Sequence, residues 1–298
     1  MKDFLIFIIC LMSAIFISSC QSKDDYKGDF EMIEEEPSFS STPAGLKAQE
    51  MYNKYGVIFK TEFTYEEFSW DWDNIRTCNA TGTTGYRYTA ADLNFAGEVM
   101  DSVDKWVFQI FPEEFIAGNM PIKILMADTI CNRFTYLGKI VARILEGDLA
   151  DNYTMIGYTS SRFTTAKKTR TLIESWVSLF VEKMVIAERL TVPSQFIELS
   201  RTGYAKLSFT NSENVVTNYG ILKKGRMKQN TGSATAAWYA TTPAQDFGDF
   251  VAFIVYVPDE EKETYYAKNA IVKTKANIVK KYFLDNFDIE LPYIPKSL

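Results

Sequence analysis

The amino-acid sequence predicts an α+β domain in which a small mixed sheet packs on one long helix and is followed by a mainly helical part. The helix is predicted over residues 170–191, where apolar residues recur at the i, i+3, i+4 spacing of a helix packed on a core. Two strand-like segments precede it, at residues 121–127 and 153–159. Helical patterns predominate after Pro193, which ends the long helix because proline cannot extend it.

Composition bounds the size of the core and excludes one class of partner. The chain has 298 residues, of which 47% are apolar, and this is enough for one large domain or two small ones. Its net charge is −6 and it has no basic patch, so we expect no nucleic-acid partner. The chain contains no histidine.

The beginning of the sequence resembles a bacterial lipoprotein signal. Lys2 precedes an apolar run over residues 4–17, and small residues lie directly before Cys20. The run is shorter than a membrane-spanning helix requires. The resemblance implies cleavage of residues 1–19 and lipid (palmitate) on Cys20; a simple secretory signal and an uncleaved anchor are the alternatives. Because residues 23–25 (KDD) resemble a surface-export signal, we expect a cell-surface lipoprotein of the outer membrane.

The domain boundaries follow from composition. Residues 20–45 are polar and acidic and predict a flexible tether. Residues 46–298 form the domain, with an α/β part over about 46–192 and a mainly helical part over about 193–298. Within it, Cys78 and Cys131 can form a disulfide after export, but two buried free thiols fit the sequence equally well.

Periodicity and proline or glycine positions predict the remaining elements. A strand is predicted over residues 57–63, and residues 205–240 form a long irregular region. Thr242, Pro243 and Gln245 have the spacing of an N-cap, a first-turn proline and a capping box. Further helices are predicted over residues 46–55, 91–111, 194–204, 243–256 and 264–286; residues 131–153 are ambiguous, and a short helix over 139–145 is one interpretation of them.

Aromatic residues alternate with polar ones over residues 68–73, which predicts a half-buried extended segment. Trp70 and Trp72 in this segment either pack on a core or stack on a sugar ring. The tyrosines of a loop predicted over residues 84–89 are further candidates for stacking.

Several segments together resemble the zinc-binding metallopeptidases found among bacterial outer-membrane lipoproteins, which have a zincin (gluzincin-like) fold. The centre of the long helix, residues 181–185 (VEKMV), has the frame of the zincin H-E-x-x-H motif. The other matching segments are residues 51–55 (MYNKY), 68–72 (FSWDW), 111–115 (FPEEF), 121–125 (PIKIL), 193–196 (PSQF), 245–249 (QDFGD) and 278–283 (IVKKYF).

The resemblance assigns the family's metal-ligand positions to residues that mostly cannot bind a metal ion. The two zinc histidines fall on Val181 and Val185, and the general base falls on Glu182. Gln245 replaces the acidic third ligand, and Asp249 keeps a carboxylate nearby. A catalytic zinc needs about three nitrogen, sulfur or carboxylate ligands, and valine offers none. The resemblance therefore implies a degenerate member that binds no zinc, with Glu182 as a vestigial base or an ordinary surface or cleft glutamate.

The first functional hypothesis is a catalytically inactive metallopeptidase-like surface lipoprotein, a pseudoenzyme. It would bind a glycan, a peptide or an outer-membrane uptake protein, or act as an accessory to nutrient and glycan uptake. It would contact the membrane through the lipid on Cys20.

Two other hypotheses come from different functional classes. An active peptidase could use a carboxylate metal site built from Glu182, Asp246, Asp249 or Glu188, which would suit magnesium, calcium or manganese, or a metal-free pair of carboxylates. A glycan-binding module would use Trp70, Trp72 and the tyrosines of residues 84–89.

Overall fold

A single long strand organises the sheet in the computed structural model. The structure describes residues 37–69, 84–120, 123–136, 138–150, 153–166, 170–204, 218–222, 227–229 and 242–295. The predictions for residues 1–19, Cys20, Trp70, Trp72 and Cys78 therefore lie outside the described residues. From residue 39 onward, the described residues belong to one unit, Phe39–Leu298.

Strands and helices are mixed along the chain up to α6, and the elements after α6 are mainly helices. The described strands are β1 (Ile58–Lys60), β2 (Gly85–Ala90), β3 (Lys123–Tyr136), β4 (Lys139–Leu145), β5 (Gly147–Ala150), β6 (Tyr153–Ile156) and β7 (Met227–Gln229). The described helices are α1 (Pro43–Tyr55), α2 (Tyr65–Ser69), α3 (Leu93–Trp106), α4 (Glu113–Asn119), α5 (Phe163–Ala166), α6 (Arg170–Ile186), α7 (Ser194–Tyr204), α8 (Pro243–Tyr256), α9 (Asp259–Lys268) and α10 (Ala270–Phe287). None of these helices is both long enough and apolar enough to cross a membrane.

Strand β3 is shared by two halves of a mixed sheet. Its first half pairs in parallel with β1 and β6, for example Phe59 with Ile124. Its second half pairs antiparallel with β2 and β4, and β4 continues the sheet to β7. Strand β5 closes the first half by pairing antiparallel with β6. The small mixed sheet predicted from the sequence is confirmed.

Helix α6 lies between this sheet and α8, and it is buried on all sides. It contacts β5 and β6 on one face and α8 on another. Every residue from 172 to 184 is buried, including Glu174, Glu182 and Lys183. Because a helix that is covered all round has no solvent face, α6 is a central core helix. It ends at Ile186 rather than at residue 191, where the sequence prediction ended it.

The helical part begins as predicted. Helix α7 spans Ser194–Tyr204, and α8 starts with Thr242 as its N-cap and proline in its first turn. The Thr242 hydroxyl accepts a hydrogen bond from the Gln245 backbone N–H at 3.2 Å, which satisfies one of the free donors at the helix start. The α+β fold class with a mainly helical second part is confirmed.

Several sequence predictions are wrong at the level of single elements. Residues 139–145 form β4 rather than a helix, because a hairpin through Gly138 at φ 73° pairs them with β3. The single helix predicted over 264–286 is two helices, because Asn269 is extended and caps α10 by accepting from the Ile271 N–H at 2.8 Å. Phe68 lies in α2 rather than in an extended segment, and it is fully buried.

Bounds of predicted strands and helices also differ from the structure. Strand β1 covers only Ile58–Lys60, β3 continues to Tyr136, and β6 ends at Ile156. Helix α1 begins at Pro43 rather than at residue 46, because Thr42 caps it and proline fits the first turn. The helix predicted over residues 91–111 ends at Trp106 and is followed by a 3₁₀ turn, Phe108–Ile110. The predicted irregular region of residues 205–240 contains β7.

Candidate functional site

The residues assigned to the metallopeptidase site lie on two helices that pack against each other. Val181, Glu182 and Val185 lie in the second half of α6. Gln245 and Asp249 lie in the first two turns of α8. The two helices meet where Ser178 of α6 contacts Gly248 and Asp249 of α8.

The positions of the two zinc histidines are occupied by core side chains. Val181 is fully buried inside the main hydrophobic core. Val185 is partly buried and packs against the same core. Glu182 is only 4% exposed, so it is not a surface glutamate. Neither valine side chain carries an atom that can ligate a metal.

Helices α6 and α8 approach closely at a glycine. A Cβ atom added to Gly248 would lie 2.4 Å from the Ser178 carbonyl oxygen, so only glycine allows this helix spacing. By contrast, a Cβ atom on Gly97 of α3 would meet nothing within 4 Å. Next to Gly248, the Asp249 carboxylate accepts a hydrogen bond from the Ser178 hydroxyl. The Asp249 carboxylate, which lies near the third ligand position, is thus engaged in helix packing.

The residues present do not fit a catalytic zinc ion. Such a site needs about three protein ligands with nitrogen, sulfur or carboxylate donors. The assigned set offers two valines, a neutral Gln245 and a carboxylate already bound to Ser178. Across the part of the chain that the structure describes, no three Cys, Asp or Glu side chains form a group that could hold a metal ion.

The carboxylates of the alternative metal site point to different neighbours. Asp249 binds Ser178 on α6, whereas Asp246 binds Lys275 on α10. Glu188 follows the end of α6 with a φ of 57°, and it is exposed. Each aspartate is thus engaged with a partner on a different helix.

Asp246 and Lys275 form a buried ion pair that the sequence analysis did not identify. Both side chains are fully buried, and they are in direct contact. The Tyr204 hydroxyl donates to the same Asp246 oxygen, Oδ2, at 2.5 Å, while Asp246 Oδ1 is buried and has no hydrogen-bond partner among the residues that the structure describes. We refer to Asp246 and Lys275 as the buried pair.

The surroundings of Lys275 suit an ammonium ion. Besides Asp246, its Nζ donates to the Ser200 hydroxyl at 2.9 Å and lies 3.4 Å from the Gly220 carbonyl oxygen. The ring centroids of Phe196 and Phe250 lie 4.2 and 4.6 Å from the Lys275 Nζ atom. At these distances a cation is attracted to the face of an aromatic ring.

Burial opposes charge on both members of the buried pair. It raises the pKa of the Asp246 carboxyl, and Lys275 offsets part of that rise. Burial also lowers the pKa of the Lys275 ammonium, against the opposing effect of Asp246. Each charge therefore depends on the other, as expected of an ion pair removed from water.

The buried pair lies against the 218–222 segment. Ile221 and Leu222 of this segment are 0% and 1% exposed, and burying two such side chains contributes roughly 3–6 kcal/mol. Ordering five residues costs about 5–10 kcal/mol of backbone entropy. The two ranges overlap, so the polar contacts of the segment add to a closely balanced free energy of ordering.

The described aromatic candidates for ligand stacking have structural roles. Tyr86 and Tyr88 lie on β2, so the prediction that they belong to a loop is wrong. The Tyr88 ring lies 4.5 Å from the Phe63 ring and 4.6 Å from the Tyr65 ring, and its hydroxyl donates to the Phe63 carbonyl at 2.7 Å. The hydrogen bond and the two ring contacts fix Tyr88 against its neighbours.

Cys131 lies on β3 and is a partly exposed free thiol. The sequence left a disulfide and two buried free thiols as alternatives. Cys131 is a free thiol in the structure. Its side chain is partly exposed, whereas the alternative of two free thiols predicted that it is buried.

No protein-family model and no curated protein matches the chain. Among solved structures, the chain is similar to one described as a "putative zinc-binding metallo-peptidase from Bacteroides caccae ATCC 43185". The similarity has 14% sequence identity and a TM-score of 0.49, and it covers 85% of this chain and 90% of the other.

Proposed function

We propose that the protein is a metallopeptidase-like surface lipoprotein that has lost catalysis and acts by binding. Its lipid on Cys20 would hold it to the outer membrane, and the residues between Cys20 and α1 would separate the domain from the lipid surface. The ligand would be a glycan, a peptide or an outer-membrane uptake protein. The membrane part of this proposal rests on the sequence of residues 1–25 alone.

The observation that carries the loss of catalysis is the chemistry of the Val181 side chain. A zinc ligand must offer a donor atom, whereas Val181 offers none and packs in the main core, 0% exposed. Since no metal-bound water forms without ligands, Glu182 has no water to activate. Gln245 stands where the family has its acidic third ligand, and the Asp249 carboxylate is bound to Ser178. Both observations support the same interpretation.

The alternative of an active peptidase with a carboxylate metal site is less well supported. Asp246 and Asp249 each have a partner of their own on a different helix. Moving either carboxylate to a shared ion would leave Lys275 or Ser178 without its present partner. The contacts of these two residues favour the inactive protein.

A peptidase assay tests this proposal. The purified protein would be supplied with zinc, magnesium, calcium or manganese and incubated with a library of fluorogenic peptides. We expect no cleavage above background, and no difference between the wild type and Glu182→Gln. A zincin peptidase run in parallel serves as the positive control. Metal-dependent cleavage that disappears in Glu182→Gln would overturn the proposal.

A further inference from the structure

We propose that the buried pair holds the 218–222 segment inside the helical part, and that this segment opens locally when Lys275 loses its contacts. The proposal concerns a conformational element of the fold and does not depend on the proposed binding function. It rests on contacts between four chain segments: α7, α8, α10 and residues 218–222.

Lys275 connects these segments through hydrogen bonds. Asp246 on α8 holds the ammonium, which also contacts the Gly220 carbonyl oxygen. Ser200 on α7 accepts from Lys275 at 2.9 Å and donates to the Tyr219 carbonyl oxygen at 2.7 Å. Two consecutive carbonyl groups of the segment are therefore bound by side chains rather than by a neighbouring strand. Removing the ammonium affects both of these contacts.

Two glycines make the contact surface close-fitting. A Cβ atom on Gly203 of α7 would lie 2.9 Å from the Tyr219 side chain. A Cβ atom on Gly220 would lie 2.5 Å from Ile271 of α10, and Gly220 has a φ of 62°, which a side chain would disfavour. The segment is therefore fitted to α7 and α10, where the buried pair holds it.

The charged and titratable groups around Lys275 are few. Asp246 contacts it directly, and Asp249 on the same helix acts on both members of the pair through its charge. Tyr204 on α7 donates to Asp246. Asp246 is the carboxylate bound to Lys275, so loss of either partner removes the ion pair.

Hydrogen–deuterium exchange of the full chain tests the proposal. In Lys275→Met, we expect the amides of residues 218–222 to exchange at least about tenfold faster than in the wild type, since bonds to a charged group are lost. The amides of β3 should accelerate by no more than the loss of global stability in this variant accounts for, and they should keep a higher opening free energy than the segment, because local opening does not require unfolding of the sheet. Lys281→Met is the matched control, because Lys281 forms an exposed pair with Asp285 on the same helix, α10.

A milder variant covers the case in which Lys275→Met fails to fold. Ser200→Ala removes only the hydroxyl between Lys275 and Tyr219. We expect faster exchange confined to residues 218–222, smaller than in Lys275→Met. Unchanged exchange of the segment in any variant that folds would overturn the proposal. An opening free energy of the segment equal to that of β3, in the wild type and in the variants, would also overturn it, because the segment would then open only by global unfolding.

Discussion

Asp246→Asn is expected to lower the free energy of unfolding by about 3–5 kcal/mol, because it leaves the buried Lys275 ammonium without its counter-charge. The substitution keeps the shape of the side chain, so packing changes little. Both side chains are fully buried, so water cannot replace the lost partner. Chemical denaturation of the wild type and the variant, followed by circular dichroism, measures the difference.

A double variant separates the lost charge pair from a general loss of packing. Asp246→Asn combined with Lys275→Met removes both charges, and we expect it to be more stable than the sum of the single effects by at least about 2 kcal/mol. The matched control is Asp285→Asn, which removes an exposed pair with Lys281 and should cost no more than about 1 kcal/mol. Additive effects in the double variant would contradict the assignment of a coupled pair.

The Asp246→Asn variant should also gain stability as the pH rises. Burial lowers the folded-state pKa of Lys275, and the variant lacks the Asp246 charge that opposes this effect. The unfolded chain, with a lysine pKa of about 10.4, then binds more protons than the folded chain below that pH. The free energy of unfolding therefore rises with pH toward about 10, more steeply than in the wild type. Denaturation midpoints at several pH values measure the two slopes.

Val181→His is expected to lower the free energy of unfolding by roughly 2–5 kcal/mol, because a polar, larger ring would enter the core without a partner. Val181 is fully buried, and the helix that carries it is covered on all sides. Val185→His is the matched comparison, one helical turn further along, at a partly buried position. It should cost less than the Val181 substitution. Urea denaturation compares the two.

Added zinc shows whether the two positions still face a metal site. A ligand that binds only the folded state raises its stability, so a zinc site would reveal itself by a higher midpoint. For the combined Val181→His and Val185→His variant, we expect no rescue of stability by added zinc. Rescue by zinc at micromolar concentration would show that Val181 faces a preserved cleft, against the present account.

The elements with strong periodicity were predictable from the sequence, and those set by distant pairing were not. The helix in residues 170–186 and the start of α8 at Thr242 and Pro243 follow from local patterns. Residues 139–145 carry apolar residues at helix-like spacing, but they pair with β3, and no local pattern carries that information. Asn269 divides the last predicted helix because its side chain caps α10, an effect that the apolar pattern around it conceals.

The helices that carry the candidate site residues were predictable from the sequence, but the burial of those residues was not. The motif frame assigned residues 181–185 and 245–249 to two helices, and these two helices pack against each other. It could not show that α8 covers α6 so closely, because that depends on Gly248 meeting Ser178 across two helices. The burial of Glu182 follows from the same packing.

The buried pair left a signal in the sequence that could have identified it. Lys275 lies among apolar residues at helical spacing, since Val272, Ala276 and Val279 are buried on the same helix. Asp246 likewise precedes a run of buried residues in α8. A charged residue in an apolar stripe predicts a buried partner of opposite charge. Which partner it has depends on the fold, because the two residues are far apart in the chain.

Elemental analysis of the purified protein tests the loss of the zinc site most directly. The protein would be incubated with one equivalent of zinc, passed through a desalting column, and measured by inductively coupled plasma mass spectrometry, beside a zincin peptidase treated identically. The account predicts well under about 0.1 zinc per chain, because the ligand positions hold Val181, Val185 and Gln245. One zinc per chain, retained through desalting, would contradict it.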